Sequence, residues 1–130
     1  MNAKSRSIIA VVLIGIWVNA SEFFRNEVLL KTYWVDHYQS LGMTFPAEPI
    51  NGMIWLAWGF LFALAIYLVS RKFNLVQTAL ITWFMAFVLM WVVTFNLRIL
   101  PGAILIYAVP LSLLEVFIGS CICIKVSPKE

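Results

Sequence analysis

The stretch Ala103–Ile124, AILIYAVPLSLLEVFIGSCICI, decides the fold class, because it carries no charged residue except Glu115. An α-helix rises about 1.5 Å per residue, so about 20 mostly apolar residues cross the roughly 30 Å hydrocarbon core of a bilayer. No other charged residue lies within nine positions of Glu115 on either side. The stretch therefore predicts a membrane-spanning helix with a single carboxyl group near its middle.

Three further runs have the same character, and the four together predict an all-α polytopic membrane protein with one domain. We expect spans at residues 7–29, 50–70, 75–97 and 102–124, and an external segment at 32–49. The first run also resembles a signal peptide, but we interpret it as a true span that continues into polar sequence. Strands of a β-barrel are short and alternate in polarity, unlike these runs. Because the later connections are short, the helices should form an antiparallel up-down bundle.

The composition agrees with this class and excludes others. The chain has 130 residues, of which 63% are hydrophobic and 12% are charged, whereas soluble domains have about 45–50% apolar and about 25% charged residues. The formal net charge is +3, but the basic residues occur as scattered singles and pairs and form no patch. We therefore expect the lipid bilayer as a partner and no binding to nucleic acid.

The distribution of Lys and Arg predicts the orientation, since cytoplasmic loops carry an excess of both. Six basic residues fall on the side of the termini, and three fall on the other side. The six are Lys4, Arg6, Arg71, Lys72, Lys125 and Lys129, and the three are Arg25, Lys31 and Arg98. Both termini of this multi-pass protein should therefore be cytoplasmic, and the segment at 32–49 should be external.

Glu115 is the first candidate functional residue, because a charge at the centre of a spanning helix costs about 2.5–3.5 kcal/mol. Counting the helical rise from the inner boundary places Glu115 at about 15 Å, Asn19 at about 20 Å and Glu22 at about 24 Å. Ser112 matches Asn19 in depth, and Thr82 is the residue of the third span closest in height to Glu115. No Lys or Arg is expected at that level, so Glu115 should be protonated, or hydrated through a cavity. These five residues form the predicted ligand or proton pathway.

Two helix faces support this grouping. Small and polar residues recur at helical spacing on the last span and on the first, and Pro110 should kink the last span. The residues are Ala108, Ser112, Glu115 and Gly119, and Gly15, Asn19, Glu22 and Asn26. Such stripes arise from helix packing with inter-helix hydrogen bonds, and they also line pathways for ligands or protons. The sequence leaves both interpretations open.

A second polar group should lie in the outer half of the bundle. Arg25, Asn26, Asn96 and Arg98 are its members, and they predict an outer vestibule that narrows towards Glu115. The alternative for Arg25 and Arg98 is that helix ends emerge into the headgroups with snorkelling side chains. Glu22 and Arg25, three residues apart on one helix, could also neutralise each other.

No metal site and no cofactor are predicted. His37 is the single histidine and falls in the external segment, where a solvated or interfacial side chain is expected. Cys121 and Cys123 form a C-x-C at the cytoplasmic end of the last span, and no C-x-x-C redox motif is present. Phosphate loops, metalloprotease motifs and nucleophile elbows are also missing from the sequence.

Two segments carry a resemblance to a group of proteins. They are Asn96–Pro101, NLRILP, and Ala108–Phe117, AVPLSLLEVF. Together they resemble the C-terminal half of uncharacterised small four-helix bacterial membrane proteins. The resemblance implies a bacterial inner-membrane location and no particular activity. The chain is also near the size of small multidrug transporters, but those proteins carry their essential Glu in the first span, whereas the deep Glu here is in the last.

Three functions remain open at this point. The first is binding or transport of a small molecule or a proton through a polar site at Glu115. The second is a non-catalytic scaffold or accessory subunit of a membrane complex, and the third is a lipid-directed enzyme with Glu115 or Glu22 as general acid. The enzyme is the least favoured, because no partner group is identifiable. Since four helices make a thin bundle, we also expect a homo-oligomer.

Overall fold

The computed structural model describes residues 1–129 and is all-helical over that range. Four helical segments are long and apolar enough to cross a membrane: Ala3–Leu29, Pro49–Ser70, Leu75–Asn96 and Gly102–Val126. The prediction of an all-α bundle with four antiparallel spans is confirmed. We call the side that holds both termini the terminal side, and the opposite side, with the connections after the first and third spans, the loop side.

The first span combines two kinds of helix. Helix α1 (Ala3–Phe23) begins after Asn2, whose side-chain oxygen accepts a hydrogen bond from the Ser5 backbone nitrogen at 2.8 Å. This cap satisfies a free backbone donor and allows the helix to begin four residues before the predicted boundary. The span then continues as a π-helix, Phe24–Leu29.

Short capping motifs begin the second and third spans. Helix α3 (Pro49–Ser70) starts with a reciprocal capping box between Glu48 and Asn51. After a tight turn, a second box between Asn74 and Gln77 starts the third span. That span consists of α4 (Leu75–Trp83), a π-helical segment (Phe84–Val88) and α5 (Leu89–Asn96). The fourth span begins as a 3-10 turn (Gly102–Ile104) and continues as α6 (Leu105–Val126), which remains helical through Pro110.

The segment between the first two spans contains a fifth helix, α2 (Lys31–Ser40). After α2 the chain changes direction at Gly42, which has φ +73°. This is the left-handed conformation that commonly ends helices. His37 Nε2 donates to the backbone carbonyl of Arg98 at 2.7 Å, and this bond ties α2 to the turn before the fourth span. The segment between the first two spans therefore contains a helix that is held against the bundle.

Packing is close around the first span and looser at α5. Helix α1 packs against α3 and α6, and α4 packs against α6 and α3. The largest members of the shared core are Ile14, Val18, Phe62, Ile66, Phe87 and Val116. Helix α5 has no comparably close contact with α3, so the second and third spans separate towards the loop side. Large apolar side chains cover the outside of the bundle, as expected for a lipid-facing surface.

Candidate functional site

Glu115 has a cation beside it. Its side chain is completely buried, and its Oε1 accepts a hydrogen bond from Nη1 of Arg25 at 3.3 Å. Nη2 of Arg25 donates to Oε1 of Glu22. Arg25 is only 4% exposed, so it does not snorkel towards the headgroups. The sequence-based expectation that no Lys or Arg reaches the level of Glu115 is therefore wrong.

The direction of the side chains explains the error. Side chains on an α-helix tilt towards the N-terminus of their own helix. The first span runs towards the loop side and the fourth span runs back. Arg25 therefore reaches towards the terminal side, while Glu115 reaches towards the loop side to meet it. Counting the helical rise along each span compares the depths of backbone atoms only. It does not include how far the two side chains extend towards each other.

The ion cluster Glu22–Arg25–Glu115 has more acidic than basic groups. One guanidinium forms ion pairs with two carboxyl groups, so the cluster carries one net negative charge when both carboxyl groups are ionised. The second oxygen of Glu22 accepts a hydrogen bond from Asn26 at 3.0 Å. The second oxygen of Glu115 is buried and has no hydrogen-bond partner within residues 1–129. Such a buried, unsatisfied group is costly, and it marks the place where the cluster would accept a proton or a donor.

Both π-helical segments contribute to this cluster. The first contains Arg25, whose backbone oxygen accepts from the Leu30 nitrogen at 2.9 Å. The second contains Phe87, and the guanidinium of Arg25 lies 5.4 Å from the centre of its ring. A cation over an aromatic face is stabilised by the ring quadrupole. Single π-helical turns inside α-helices occur frequently at functional sites, which agrees with their location here.

Three residues of the predicted pathway have other partners. Asn19 donates to the backbone oxygen of Gly15 at 2.9 Å, and Thr82 donates to the Thr78 oxygen at 2.7 Å. Ser112 accepts from the indole nitrogen of Trp83 at 2.9 Å. None of these hydrogen bonds reaches the carboxyl group of Glu115. Of the five predicted residues, the structure therefore joins only Glu22 and Glu115, and it joins them through Arg25.

A cavity of about 400 Å³ lies on the loop side, where the second and third spans separate. Glu22 and Arg25 form part of its wall, whereas Glu115 lies behind them and does not line it. We call it the aromatic cavity after the seven rings in its wall. These belong to Trp34, Tyr38, Phe45, Trp55, Trp58, Phe87 and Trp91.

A second cavity of similar volume adjoins the first along the start of α3. It shares Glu22, Asn26 and Glu27 with the aromatic cavity, and Asn19 lies in its wall. Asn19 therefore lies near the ion cluster in the wall of this second cavity, and it makes no direct contact with Glu115. Glu22 therefore borders both cavities, so the ion cluster can be reached from either one.

The predicted outer vestibule is only partly assembled. Arg25 and Asn26 line the aromatic cavity, and Asn26 also accepts from the indole of Trp34 at 3.2 Å. Asn96 and Arg98 are exposed and line neither cavity. The backbone of Arg98 instead holds α2 through His37.

The sequence interpretation missed the aromatic wall. Tryptophan and phenylalanine usually lie on the lipid-facing and interfacial surfaces of membrane proteins, so their presence in the spans did not indicate a cavity. A signal was present in the spacing, because Trp55 and Trp58 are three residues apart and Phe87 and Trp91 are four apart. Each pair shares a helix face, and ring centres of 5.7 Å and 5.9 Å within the pairs show that they contact each other.

Within residues 1–129, no three potential metal-ligating side chains lie together. Comparison with protein-family models, with curated proteins and with solved structures finds no match to this chain. The chemistry of the site is therefore inferred from its geometry alone. That geometry is a buried ion cluster with an unsatisfied carboxyl oxygen, which lies against an aromatic cavity.

Proposed function

We propose that this protein binds and transports a small molecule, which occupies the aromatic cavity and contacts the ion cluster at its polar end. The observation that carries the proposal is the position of Glu22 and Arg25, which are buried and also form the cavity wall. Ligand sites are concave, mostly apolar and supplied with a few fixed polar groups. A cavity of about 400 Å³ is large enough for such a ligand.

Glu115 has a proton-linked role in this proposal. Its free oxygen is shielded from the cavity, so a ligand acts on it through Arg25. A ligand that shifts the guanidinium between Glu22 and Glu115 changes the protonation of Glu115: the carboxyl group takes up a proton when its cation moves away and releases one when its cation moves closer. Ligand binding and proton exchange at Glu115 are thereby linked, which is the requirement for proton-coupled transport.

The proposal includes a location. The excess of Lys and Arg on the terminal side supports cytoplasmic termini. The aromatic cavity then lies in the outer half of the membrane, which we propose is a bacterial inner membrane. We further propose a homo-oligomer, because one four-helix bundle offers few helices to enclose a transport pathway. A monomeric mass in both mild detergent and nanodiscs would contradict the oligomer.

The test is a thermal-stability screen of the purified protein against small amphipathic compounds. A compound that binds only the folded protein at 100 times its Kd adds about 2.7 kcal/mol to stability. Thr94→Trp fills the cavity, since Thr94 lies in its wall. Val93→Trp is the matched control, because Val93 is 57% exposed on the same helix and lines neither cavity.

We expect stabilising compounds for the wild type and for Val93→Trp, and none for Thr94→Trp. The proposal is wrong if no compound stabilises the wild type, or if the same compounds stabilise both variants equally. That result would favour the scaffold, the second candidate. The observation in favour of a scaffold is that the Glu115 side chain is wholly enclosed and has no direct contact with either cavity.

A further inference from the structure

We infer that the ligand of the aromatic cavity is a lipophilic organic cation that enters from the bilayer between α3 and α5. The inference rests on the proposed function and specifies the charge, the body and the entry route of the ligand. Three independent features support it: the charges in the wall, the aromatic rings and the exposed rim.

The charges in the wall disfavour anions. Among the residues that line the aromatic cavity, the charged ones are Glu22, Arg25 and Glu27, two acids and one base. Both terminal nitrogens of Arg25 already donate to carboxyl groups, one of them on Glu115 behind the wall. An anion would have to compete with two carboxylates for this guanidinium and would face their repulsion. Glu27 is itself paired with Lys31 at 2.6 Å. The ion cluster carries one net negative charge when both of its carboxyl groups are ionised, and a cation would be attracted to it.

The aromatic rings favour a cation with an organic body. Trp58, Phe87 and Trp91 form a continuous wall, with ring centres 6.0 Å apart for Trp58 and Phe87 and 5.9 Å apart for Phe87 and Trp91. Aromatic faces attract cations, and cages of this kind recognise quaternary ammonium groups. A small inorganic cation would lose its hydration shell among these rings without gaining enough oxygen ligands. The body of the ligand should therefore be apolar and of drug size.

The rim provides the entry route. Ile54 is 60% exposed and Trp55 is 47% exposed, and both lie on α3 at the edge of the cavity. Both side chains belong to a membrane-spanning helix, so the cavity opens sideways where α3 and α5 separate. A lipophilic cation that has partitioned into the bilayer reaches this opening with its apolar body still in lipid.

The test compares two ions of the same shape and opposite charge. Tetraphenylphosphonium and tetraphenylborate each carry four phenyl groups, and each is titrated separately by calorimetry into protein in nanodiscs, with empty nanodiscs as the blank. We expect saturable binding of the phosphonium and at least tenfold weaker binding of the borate. Thr94→Trp should abolish the phosphonium binding.

Two further variants test the wall itself. Glu22→Gln removes an acidic group from the wall and should weaken phosphonium binding about tenfold, whereas Asp36→Asn, on the exposed face of α2 and outside both cavities, should leave it unchanged. Trp55→Leu removes a rim ring without touching the ion cluster and should also weaken binding. It provides the second test if Glu22→Gln does not fold.

The outcomes separate this inference from the proposed function. Borate binding as tight as phosphonium binding, and lost in Thr94→Trp, would overturn the assignment of a cation and leave the ligand site standing. The same holds if neither ion binds while the compound screen yields a neutral ligand sensitive to Thr94→Trp. Absence of binding by both ions and of any such compound would overturn both proposals.

Discussion

At the scale of single residues, Arg25 connects the parts of the candidate site. It is buried, it donates to Glu22 and Glu115, and it lies over the ring of Phe87. Removing one partner of a buried ion pair leaves an uncompensated charge, which costs about 3–5 kcal/mol. The contribution of Arg25 can therefore be measured as a change in the free energy of unfolding.

We predict that Arg25→Met lowers the free energy of unfolding by about 3–5 kcal/mol, because two carboxyl groups lose their common cation. The measurement is a denaturant titration in detergent. Lys31→Met is the control, since Lys31 forms an exposed pair with Glu27 at 2.6 Å and such pairs contribute about 0–1 kcal/mol. Equal effects of the two substitutions would show that Arg25 is not buried with its partners.

The second prediction at this scale concerns Glu115→Gln. The amide retains an oxygen that can accept from Arg25, so the free energy of unfolding should change by no more than about 1.5 kcal/mol, the value of one neutral hydrogen bond. The proton-linked role requires a titratable group, so the affinity for the ligand should depend on pH in the wild type and depend on pH less strongly in the variant. Ligand titrations at several pH values measure this. An identical pH dependence in both proteins would remove Glu115 from the mechanism.

At the scale of helices, the close approach of the first and second spans depends on glycine. A Cβ atom on Gly59 would collide with the side chain of Asn19. Asn19 cannot move away freely, because it donates to the backbone oxygens of Gly15 and Leu56. The interface between α1 and α3 therefore requires a residue without a side chain at position 59.

We predict that Gly59→Ala destabilises the protein by about 1–3 kcal/mol, the usual cost of overpacking. Gly52→Ala is the matched control on the same helix, since nothing lies within 4 Å of a Cβ at that position. Alanine there should be neutral or stabilise by up to about 1 kcal/mol through helix propensity. Thermal unfolding of the three proteins in one detergent gives the comparison. A Gly59→Ala variant as stable as the wild type would mean that the two helices are not in close contact.

The sequence predicted the helices more completely than it predicted the candidate site. Hydropathy is a local property, so Leu75–Asn96 and Gly102–Val126 could be located closely. The π-helical turn around Arg25 and the direction in which its side chain extends depend on contacts with other spans. No local pattern in the sequence encodes those contacts. Glu22 and Glu115 were identified because a carboxyl group at membrane depth is unusual, and the pairing of Glu22 with Arg25 followed from their spacing. The contact of Arg25 with Glu115 was not predicted.

At the scale of the whole molecule, the distribution of basic residues predicts the orientation. On a background with Cys121 and Cys123 replaced by serine, Ser40→Cys should react with a membrane-impermeant thiol reagent added outside intact cells. Pro128→Cys should react only after the membrane is opened. Both positions are exposed in the structure, so access is limited by the membrane alone. The reverse pattern of labelling would invert the topology and place the aromatic cavity on the cytoplasmic side.

The candidate site depends on the contact between Arg25 and Glu115 behind the cavity wall. A double-mutant cycle tests this contact, with unfolding free energies measured for Arg25→Met, Glu115→Gln and the combined variant. Residues in contact show interaction energies of about 0.5–3 kcal/mol, whereas distant residues are additive within about 0.3–0.5 kcal/mol. We predict that the double variant is more stable, by at least about 1 kcal/mol, than the sum of the single changes implies, as expected for coupling in that range. Because the amide in Glu115→Gln can still accept from Arg25, the cycle measures the interaction of Arg25 with the charge of Glu115; additive changes would show that this interaction is absent, and the proposed proton-linked site would then be wrong.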